Sequence, residues 1–261
     1  MLVALGAATR EGERFQVADP SLLERAATER LAAAARSGLL QSADLSARAR
    51  AGTLDPGGWR HEDPEILRAA GISSSGAVPA LAAALSTLGD LADRLERPGA
   101  AALDVGTGVA AVAIALCRRF ERLRVVGLEP ARAPLAEARA NVVAAGLQDR
   151  VELRAQRVEE LADEAAFDFA FVPVVFLSTV TVRAGLAAIL TALRPGGWVL
   201  VTSLSAAGGT LGPALARLRA TLWGSEALAP DALAGLAVEA GYGEVRLVPS
   251  AELQLVAARR P

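Results

Sequence analysis

Hydrophobic and polar positions follow two different patterns along this chain, and the change falls near residue 100. Beyond it, short apolar runs of strand length are separated by helix-length amphipathic segments rich in Ala, Leu and Arg. The apolar runs predict seven strands, at 101–105, 124–128, 151–154, 167–172, 198–203, 244–248 and 254–258. Strands that alternate with helices favour a parallel sheet covered on both faces, so the expected fold class is α/β.

The end of the chain predicts one exception to the parallel arrangement. The last two predicted strands are separated by a short connection that contains Pro-Ser-Ala-Glu at 249–252. A connection this short fits a hairpin, so we expect the final strand to be antiparallel to the others. Helix ends are marked by Gly146 after one amphipathic segment, and by Pro230 and Gly241 around another.

The first hundred residues have the pattern of helices joined by turn-rich connections. Residues 20–40 have helical composition and period, and 78–97 predicts a further helix. The segments between them, 53–64 and 71–77, are rich in Gly, Pro, Ser and Asp and predict loops.

Ahead of these helices, a turn at 11–12 joins a short strand to a returning strand at 14–17. The sequence leaves two interpretations open: the wing of a winged helix that lacks its preceding helices, or a local hairpin that closes over the helical region. We expect the chain to divide into a smaller, mainly helical N-terminal region, 1–63, and a larger domain, 64–261.

Composition argues against several classes of function. The formal net charge is −2, with no long block of one sign, so neither a nucleic-acid-binding surface nor a basic membrane patch is indicated. One cysteine and one histidine do not supply a structural zinc site. The first residues lack the basic segment and long apolar stretch of a secretory signal. We therefore expect a cytoplasmic protein that binds neither nucleic acid nor membrane.

A glycine turn interrupts the apolar run at 102–116. Gly106, Gly108 and Ala111 fit the GxGxxA pattern of a dinucleotide site, in which a helix N-terminus faces a pyrophosphate. Asp104 fits a different ligand, because a carboxylate repels a pyrophosphate but accepts a hydrogen bond from an ammonium. A sulfonium cofactor with an aminoacyl group carries such an ammonium. Capping of local backbone amides is the remaining interpretation of Asp104.

An acidic residue, Glu129, ends the second predicted strand of the sheet. A carboxylate about twenty residues beyond the glycines can accept ribose hydroxyls, so it indicates a nucleoside-type ligand without choosing between the two cofactors. The choice comes from the buried strand at 167–172 and from a Pro-Gly-Gly turn that precedes the next strand.

Four motifs, in this order and spacing, resemble those of the class I S-adenosylmethionine-dependent methyltransferases: LDVGTGVA at 103–110, VVGLEP at 125–130, RVELRAQRVEEL at 150–161 and LRPGGWVLV at 193–201. The resemblance covers roughly residues 64–260. It implies a Rossmann-like, seven-stranded, mostly parallel sheet with an antiparallel last strand. It also implies methyl transfer from S-adenosylmethionine, with S-adenosylhomocysteine as the product.

The resemblance also implies the residues that hold the cofactor. The implied contacts are Asp104, Gly106, Thr107 and Gly108 at the aminoacyl end, Glu129 and Pro130 at the ribose, Arg157 and Val158 at the adenine, Val172 after the fourth strand and Ser75 in a covering segment. Two positions depart from the family pattern. Ala110 stands in place of the third glycine, and Arg157 stands where an acidic residue often binds the adenine amino group. An arginine cannot accept that hydrogen bond, so it would stack on the ring or leave recognition to the backbone.

Methyl transfer depends mainly on alignment and exclusion of water, so a conspicuous catalytic cluster is not required. The loop after the fourth strand contains no Asp or Glu, and we therefore expect no metal. Val175 and Phe176 in this loop, with Trp59, are predicted to line an acceptor pocket, and plain core packing is the alternative. His61 is the candidate base.

The predicted function is methyl transfer to a small-molecule acceptor, to oxygen in secondary metabolism. One alternative keeps the fold and cofactor but catalyses a rearrangement or cyclisation, or only binds. A second alternative is an NAD-dependent oxidoreductase, which only the GxGxxA pattern favours. The sequence leaves the oligomeric state open between a monomer and a homodimer.

Overall fold

A computed structural model describes residues 8–12, 14–17, 25–53, 59, 61–75, 78–204, 220, 223, 225–226, 228–249 and 253–261. Near the N-terminus, β1 (Ala8–Glu11) and β2 (Arg14–Val17) form the predicted antiparallel hairpin. It turns at Gly12, whose φ of +61° is a conformation that glycine adopts without steric cost. The residues that precede the hairpin lie outside the described ranges, so its interpretation as a wing stays a prediction.

Seven strands form the main sheet: β3 (Ala101–Val105), β4 (Arg124–Leu128), β5 (Val151–Arg154), β6 (Phe167–Pro173), β7 (Leu193–Leu204), β8 (Glu244–Val248) and β9 (Leu253–Arg259). Their spatial order is β5-β4-β3-β6-β7-β9-β8. β9 is antiparallel to both of its neighbours, and the other described pairs of this sheet are parallel. The predicted α/β fold with a reversed last strand is confirmed.

The described helices are α1 (Arg25–Arg50), α2 (Pro64–Ser75), α3 (Val78–Leu85), α4 (Leu91–Leu95), α5 (Ala111–Arg119), α6 (Arg132–Ala144), α7 (Thr179–Ala192) and α8 (Pro230–Ala240). α1 packs against α2, and α2 packs against α5 and α6. The proposed division between residues 63 and 64 stays a prediction.

Two predictions in the helical region were wrong, and a third gave only part of a helix. The helix predicted at 20–40 is confirmed from Arg25 and continues as α1 to Arg50. The predicted loop at 71–77 is helical as far as Ser75, because α2 is held by packing that its Gly and Ser residues do not reveal. The single helix predicted at 78–97 is divided into α3 and α4 by a turn in which Gly89 has a φ of +59°.

Two cores cover the faces of the sheet, because successive side chains of a strand point to opposite sides. Phe169 and Phe171 pack on the side of α3, α4 and α5. Ala170 and Val172 pack on the side of α7 and α8. By length and composition alone, the stretch Pro64–Leu85 could cross a membrane. Its α3 part supplies buried core leucines, and core helices of soluble proteins meet the same criterion.

β7 is longer than predicted. Leu193 already pairs with Phe167, and pairing resumes between Trp198 and Phe169 after an irregularity in register. The expected Pro-Gly-Gly turn is therefore a bulge inside one strand rather than a separate connection. The bulge brings Arg194 to Asp168 at the amino end of β6.

Candidate functional site

The glycine loop between β3 and α5 is a tight turn at the carboxyl edge of the sheet. Gly106, Gly108 and Ala110 have positive φ angles of +63°, +57° and +64°. Glycine adopts this conformation freely, whereas for a residue with a Cβ the left-handed conformation costs roughly 1–2 kcal/mol. The alanine that replaces the third glycine of the motif therefore keeps the left-handed backbone of the turn at an energetic cost.

Asp104, near the carboxyl end of β3, is only 1 % exposed. Its Oδ2 accepts a hydrogen bond of 2.6 Å from Thr107 Oγ1. Burial raises the pKa of Asp104 to about 7, against the effect of hydrogen bonds from Thr107 and from the Ala113 N–H, with a further increase from the nearby Glu129. A carboxyl in this state changes its charge near neutral pH, and an approaching cation stabilises the ionised form.

Glu129 follows β4 and is fixed by two backbone amides. Its Oε2 accepts the N–H of Gly108 at 3.1 Å, and its Oε1 accepts the N–H of Ala131 at 2.9 Å. Burial raises the pKa of Glu129, and the two N–H donors partly oppose this. Each carboxylate oxygen has further acceptor capacity, so the group fits two adjacent hydroxyls such as those of a ribose.

The side chain of Thr107 packs against β4 at Gly127, which has no side chain to fill this space. A Cβ at Gly127 would lie 2.9 Å from Thr107 Cγ2, closer than side chains tolerate. The backbone N–H of Thr107 also donates to the Leu128 carbonyl at 2.9 Å. The loop is thus tied to β4 at Thr107 as well as at Glu129, which brings the two predicted cofactor motifs together.

The remaining residues predicted at the cofactor have other contacts. Arg157 is exposed, and its Nε donates to Glu159 Oε1 at 2.6 Å. Val158 is buried against Gly185 of α7, and Val172 is buried in the core on the same side of the sheet. Ser75 donates its hydroxyl to the Ile72 carbonyl at 2.7 Å.

Val158 and Val172 are almost fully buried, with 4 % and 2 % of their surface exposed. Pro130 is exposed next to Glu129. Contacts of Arg157, Val158, Val172, Pro130 and Ser75 with a cofactor stay predictions.

An aromatic cluster forms beyond the end of β6. The ring of Phe176 lies 5.4 Å from Trp59 and 4.9 Å from Trp223, measured between centroids. Trp223 Nε1 donates to Gln41 Oε1 of α1 at 2.6 Å. The carbonyl of Val175 accepts the hydroxyl of Ser225 at 2.6 Å. The structure therefore brings the predicted residues Trp59 and Phe176 together, and adds Trp223, which was not among the predicted site residues.

His61 is buried, at 8 % exposed, although its loop is polar. Its Nδ1 lies 2.9 Å from Asp44 Oδ2, which also lies 2.9 Å from Arg48 Nε. Burial lowers the pKa of His61, Asp44 opposes this, and the Arg48 charge lowers the pKa further. Trp59 packs against the imidazole at a centroid distance of 4.8 Å. The imidazole is therefore neutral at neutral pH and able to accept a proton.

A cleft of about 590 Å³ separates α1 from the loop after β4. It is lined by Asp44, Arg48, Trp59, His61, Glu62, Asp63, Ile66, Ala131 and Pro134. β3 lies between β4 and β6 in the sheet. Trp59 contacts Phe176 after β6, and the same segment shares a cleft with Ala131 after β4. Trp59 therefore lies near the carboxyl ends of both β6 and β4, at the edge of the sheet that carries the glycine loop.

Within the described ranges, no group of three or more His, Cys, Asp or Glu residues is arranged to hold a metal ion. Asp168 lies at the opposite, amino end of β6, where its carboxylate pairs with Arg94 and Arg194. It also accepts the backbone N–H of Ala101 at 3.0 Å. Its two oxygens thus stabilise the edge of the sheet far from the glycine loop.

Comparisons with known proteins agree with this geometry. Residues 102–197 match the family described as a methyltransferase domain, while no curated protein matches the sequence at a significant level. An O-methyltransferase family protein from Burkholderia thailandensis is 18% identical with a TM-score of 0.69, over 99% of this chain and 81% of that one. The mitomycin 7-O-methyltransferase MmcR is 22% identical with a TM-score of 0.61, over 100% and 81%.

The cyclase SpnF also has this fold, at 18% identity and a TM-score of 0.50 over 67% of this chain and 80% of that one. At such identities, each solved structure shows a shared fold rather than a shared reaction. Residues 102–197 match the model of a methyltransferase domain, and the chain has the Rossmann-like fold found in methyltransferases.

Proposed function

We propose that the protein binds S-adenosylmethionine at the carboxyl ends of β3 and β4 and transfers its methyl group to a hydroxyl oxygen of a small molecule in secondary metabolism. The observation that carries this proposal is the carboxylate of Glu129, held by two backbone amides beside the glycine loop. Glu129 would accept the ribose hydroxyls and Asp104 would accept the ammonium of the aminoacyl group. When bound, the cofactor supplies a methyl group activated by positive sulfur.

The acceptor would bind beneath Trp59 and His61. A cleft of about 590 Å³ lies within the size range of small-molecule sites. The neutral imidazole of His61 would take the proton of the acceptor hydroxyl, while Phe176, Val175 and Trp59 exclude water. Neighbours that are O-methyltransferases support oxygen as the nucleophile. We further propose a cytoplasmic protein that acts without nucleic acid, membrane or metal.

Calorimetry with three ligands tests the cofactor. S-adenosylmethionine and S-adenosylhomocysteine are expected to bind, and NAD is not, because Asp104 would repel a pyrophosphate. Methyl transfer is then followed with cofactor labelled in its methyl group and a panel of small phenols and alcohols. Binding of NAD with no response to S-adenosylmethionine would overturn the proposal in favour of an oxidoreductase.

A second candidate function is a cyclisation or rearrangement in which the cofactor is bound but not consumed. It is favoured by the fold shared with the cyclase SpnF and by the half-buried aromatic cluster at Trp59, Phe176 and Trp223. The two functions differ in stoichiometry. Methyl transfer releases one S-adenosylhomocysteine for each product molecule, whereas a cyclisation releases none.

A further inference from the structure

Val109, in the glycine loop, is held from two sides, by α2 and by α6. On one side, a Cβ at Gly71 of α2 would lie 2.4 Å from Val109 Cγ2. On the other side, Asn141 Nδ2 of α6 donates a hydrogen bond of 3.0 Å to the Val109 carbonyl. The side chain and the backbone of one loop residue are thus fixed at the same time.

Neither contact is explained by the helix that provides it. A glycine inside a helix is destabilising relative to alanine. Gly71 has no positive φ that would require glycine, so the close approach of α2 to the loop is what excludes a larger residue. Asparagine is likewise a weaker helix former than alanine. The side chain of Asn141 leaves α6 to satisfy a loop carbonyl instead.

The position of Val109 also affects Glu129, the proposed acceptor for the ribose hydroxyls. Val109 follows Gly108, and the N–H of Gly108 donates to Glu129 Oε2 at 3.1 Å. A displacement of Val109 therefore moves the donor that orients the Glu129 carboxylate. Close fixation matters here because small errors in the position of binding groups cost a large part of the binding energy.

We propose that Gly71 and Asn141 are positioning residues of the cofactor site, which act through Val109 rather than through contact with the cofactor. This inference rests on the proposed function, since it takes the glycine loop and Glu129 as the cofactor site. α2 begins at Pro64, shortly after His61. The contact between Gly71 and Val109 therefore links the segment that carries Trp59 and His61 to the glycine loop.

The inference is tested by a suppressor pair. Gly71→Ala is expected to weaken S-adenosylhomocysteine binding roughly tenfold or more, because α2 or the loop must shift. Adding Val109→Ala removes Cγ2, and the nearest remaining atom of residue 109 is its Cβ at 3.8 Å, an ordinary contact. The double variant should therefore bind as Val109→Ala alone does. Gly235→Ala is the matched control, since a Cβ there meets nothing within 4 Å.

A second measurement needs no ligand. Amide hydrogen exchange at Gly108 should accelerate in Gly71→Ala, return in the double variant and stay unchanged in Gly235→Ala. Asn141→Ala and Asn141→Asp should both accelerate it, because neither side chain can donate to the Val109 carbonyl. Unchanged Gly108 exchange in Gly71→Ala, or a double variant that binds no better than Gly71→Ala, overturns this inference. A wild-type protein that binds no S-adenosylhomocysteine overturns the proposed function instead.

Discussion

The carboxylate of Glu129 accepts the backbone N–H of Gly108 at 3.1 Å, which joins the end of β4 to the loop that follows β3. The two strands are adjacent and parallel, so both ends lie on one edge of the sheet. A second amide, from Ala131, fixes the other carboxylate oxygen at 2.9 Å. The orientation of the acceptor group is therefore set before a ligand arrives, which lowers the ordering cost of binding.

Glu129→Ala should weaken S-adenosylhomocysteine binding by roughly 1–3 kcal/mol, because ribose hydroxyls lose a charged acceptor. Calorimetry measures the dissociation constant, and circular dichroism checks that the fold is retained. Glu121→Ala is the control, since Glu121 is exposed on the turn before β4, at the opposite edge of the sheet. A dissociation constant equal to that of the wild type would mean that Glu129 does not contact the ribose.

The sequence predicted the sheet and assigned Asp104 and Glu129 to one cofactor site because both predictions depend on local pattern. Apolar runs separated by amphipathic segments specify parallel strands, and the carboxyl ends of parallel strands share one edge. The glycine turn that begins two residues after Asp104 and the acidic residue that follows β4 were therefore expected at the same edge of the sheet. No long-range side-chain packing enters this argument.

The residues around the proposed pocket for the methyl acceptor are brought together by long-range contacts, which the local sequence pattern does not show. Asp44 and Gln41 lie on α1, and polar residues on a helix usually mark its solvent face. Here that face is turned towards His61 and Trp223, so Gln41 is buried at 6 % exposed. Trp223 joins Phe176 from a distant part of the chain. Val158 and Val172 were assigned to the cofactor by motif position, and their side chains also belong to the core on the side of α7 and α8.

Binding of S-adenosylhomocysteine should strengthen as pH rises through about 7, because the ammonium needs the ionised form of Asp104 and burial raises the pKa of that carboxyl to about 7. Calorimetry at pH 6 and pH 8 measures the effect, and proton release on binding should appear in buffers of different ionisation enthalpy. Asp104→Asn should bind more weakly at pH 8 and lose most of the pH dependence. An equally steep dependence in Asp104→Asn would exclude Asp104 as its source.

Asp104 should also make the unliganded fold less stable as pH rises. The folded-state pKa of about 7 lies above the ordinary value of 3.8, so the folded state holds its proton more tightly than the unfolded state does. The resulting stabilisation is present at acidic pH and is lost between these two values. Asp104→Asn should therefore gain thermal stability relative to the wild type between pH 4 and pH 8. A constant difference in melting temperature would contradict this.

Methyl transfer is expected to continue in EDTA and to gain nothing from magnesium. A hard cation needs several oxygen ligands, and residues 169–182 contain no carboxylate. Asp63 is near the cleft, but its Oδ1 already accepts the N–H of Glu65 at the start of α2, at 2.7 Å. Activity that EDTA abolishes and magnesium restores would identify Glu62 and Asp63 as ligands after all.

Two residues of α1 should shift the pKa of His61 in opposite directions. Asp44 raises this pKa and Arg48 lowers it, while burial keeps it below the ordinary value of 6.5. Asp44→Asn should therefore lower the pKa of His61, and Arg48→Gln should raise it. Because the chain has one histidine, its imidazole resonances report the titration without ambiguity. Glu62→Gln is the control, since Glu62 lines the same cleft but is exposed.

The same three variants separate catalysis from packing at His61. If His61 takes the proton of the acceptor hydroxyl, the acidic limb of the kcat/KM profile follows its pKa, moving to lower pH in Asp44→Asn and to higher pH in Arg48→Gln. A residue that only packs against Trp59 would titrate in the resonance spectrum and leave the pH profile of the reaction in place. That result would remove His61 from the reaction and leave alignment and exclusion of water as the source of the rate.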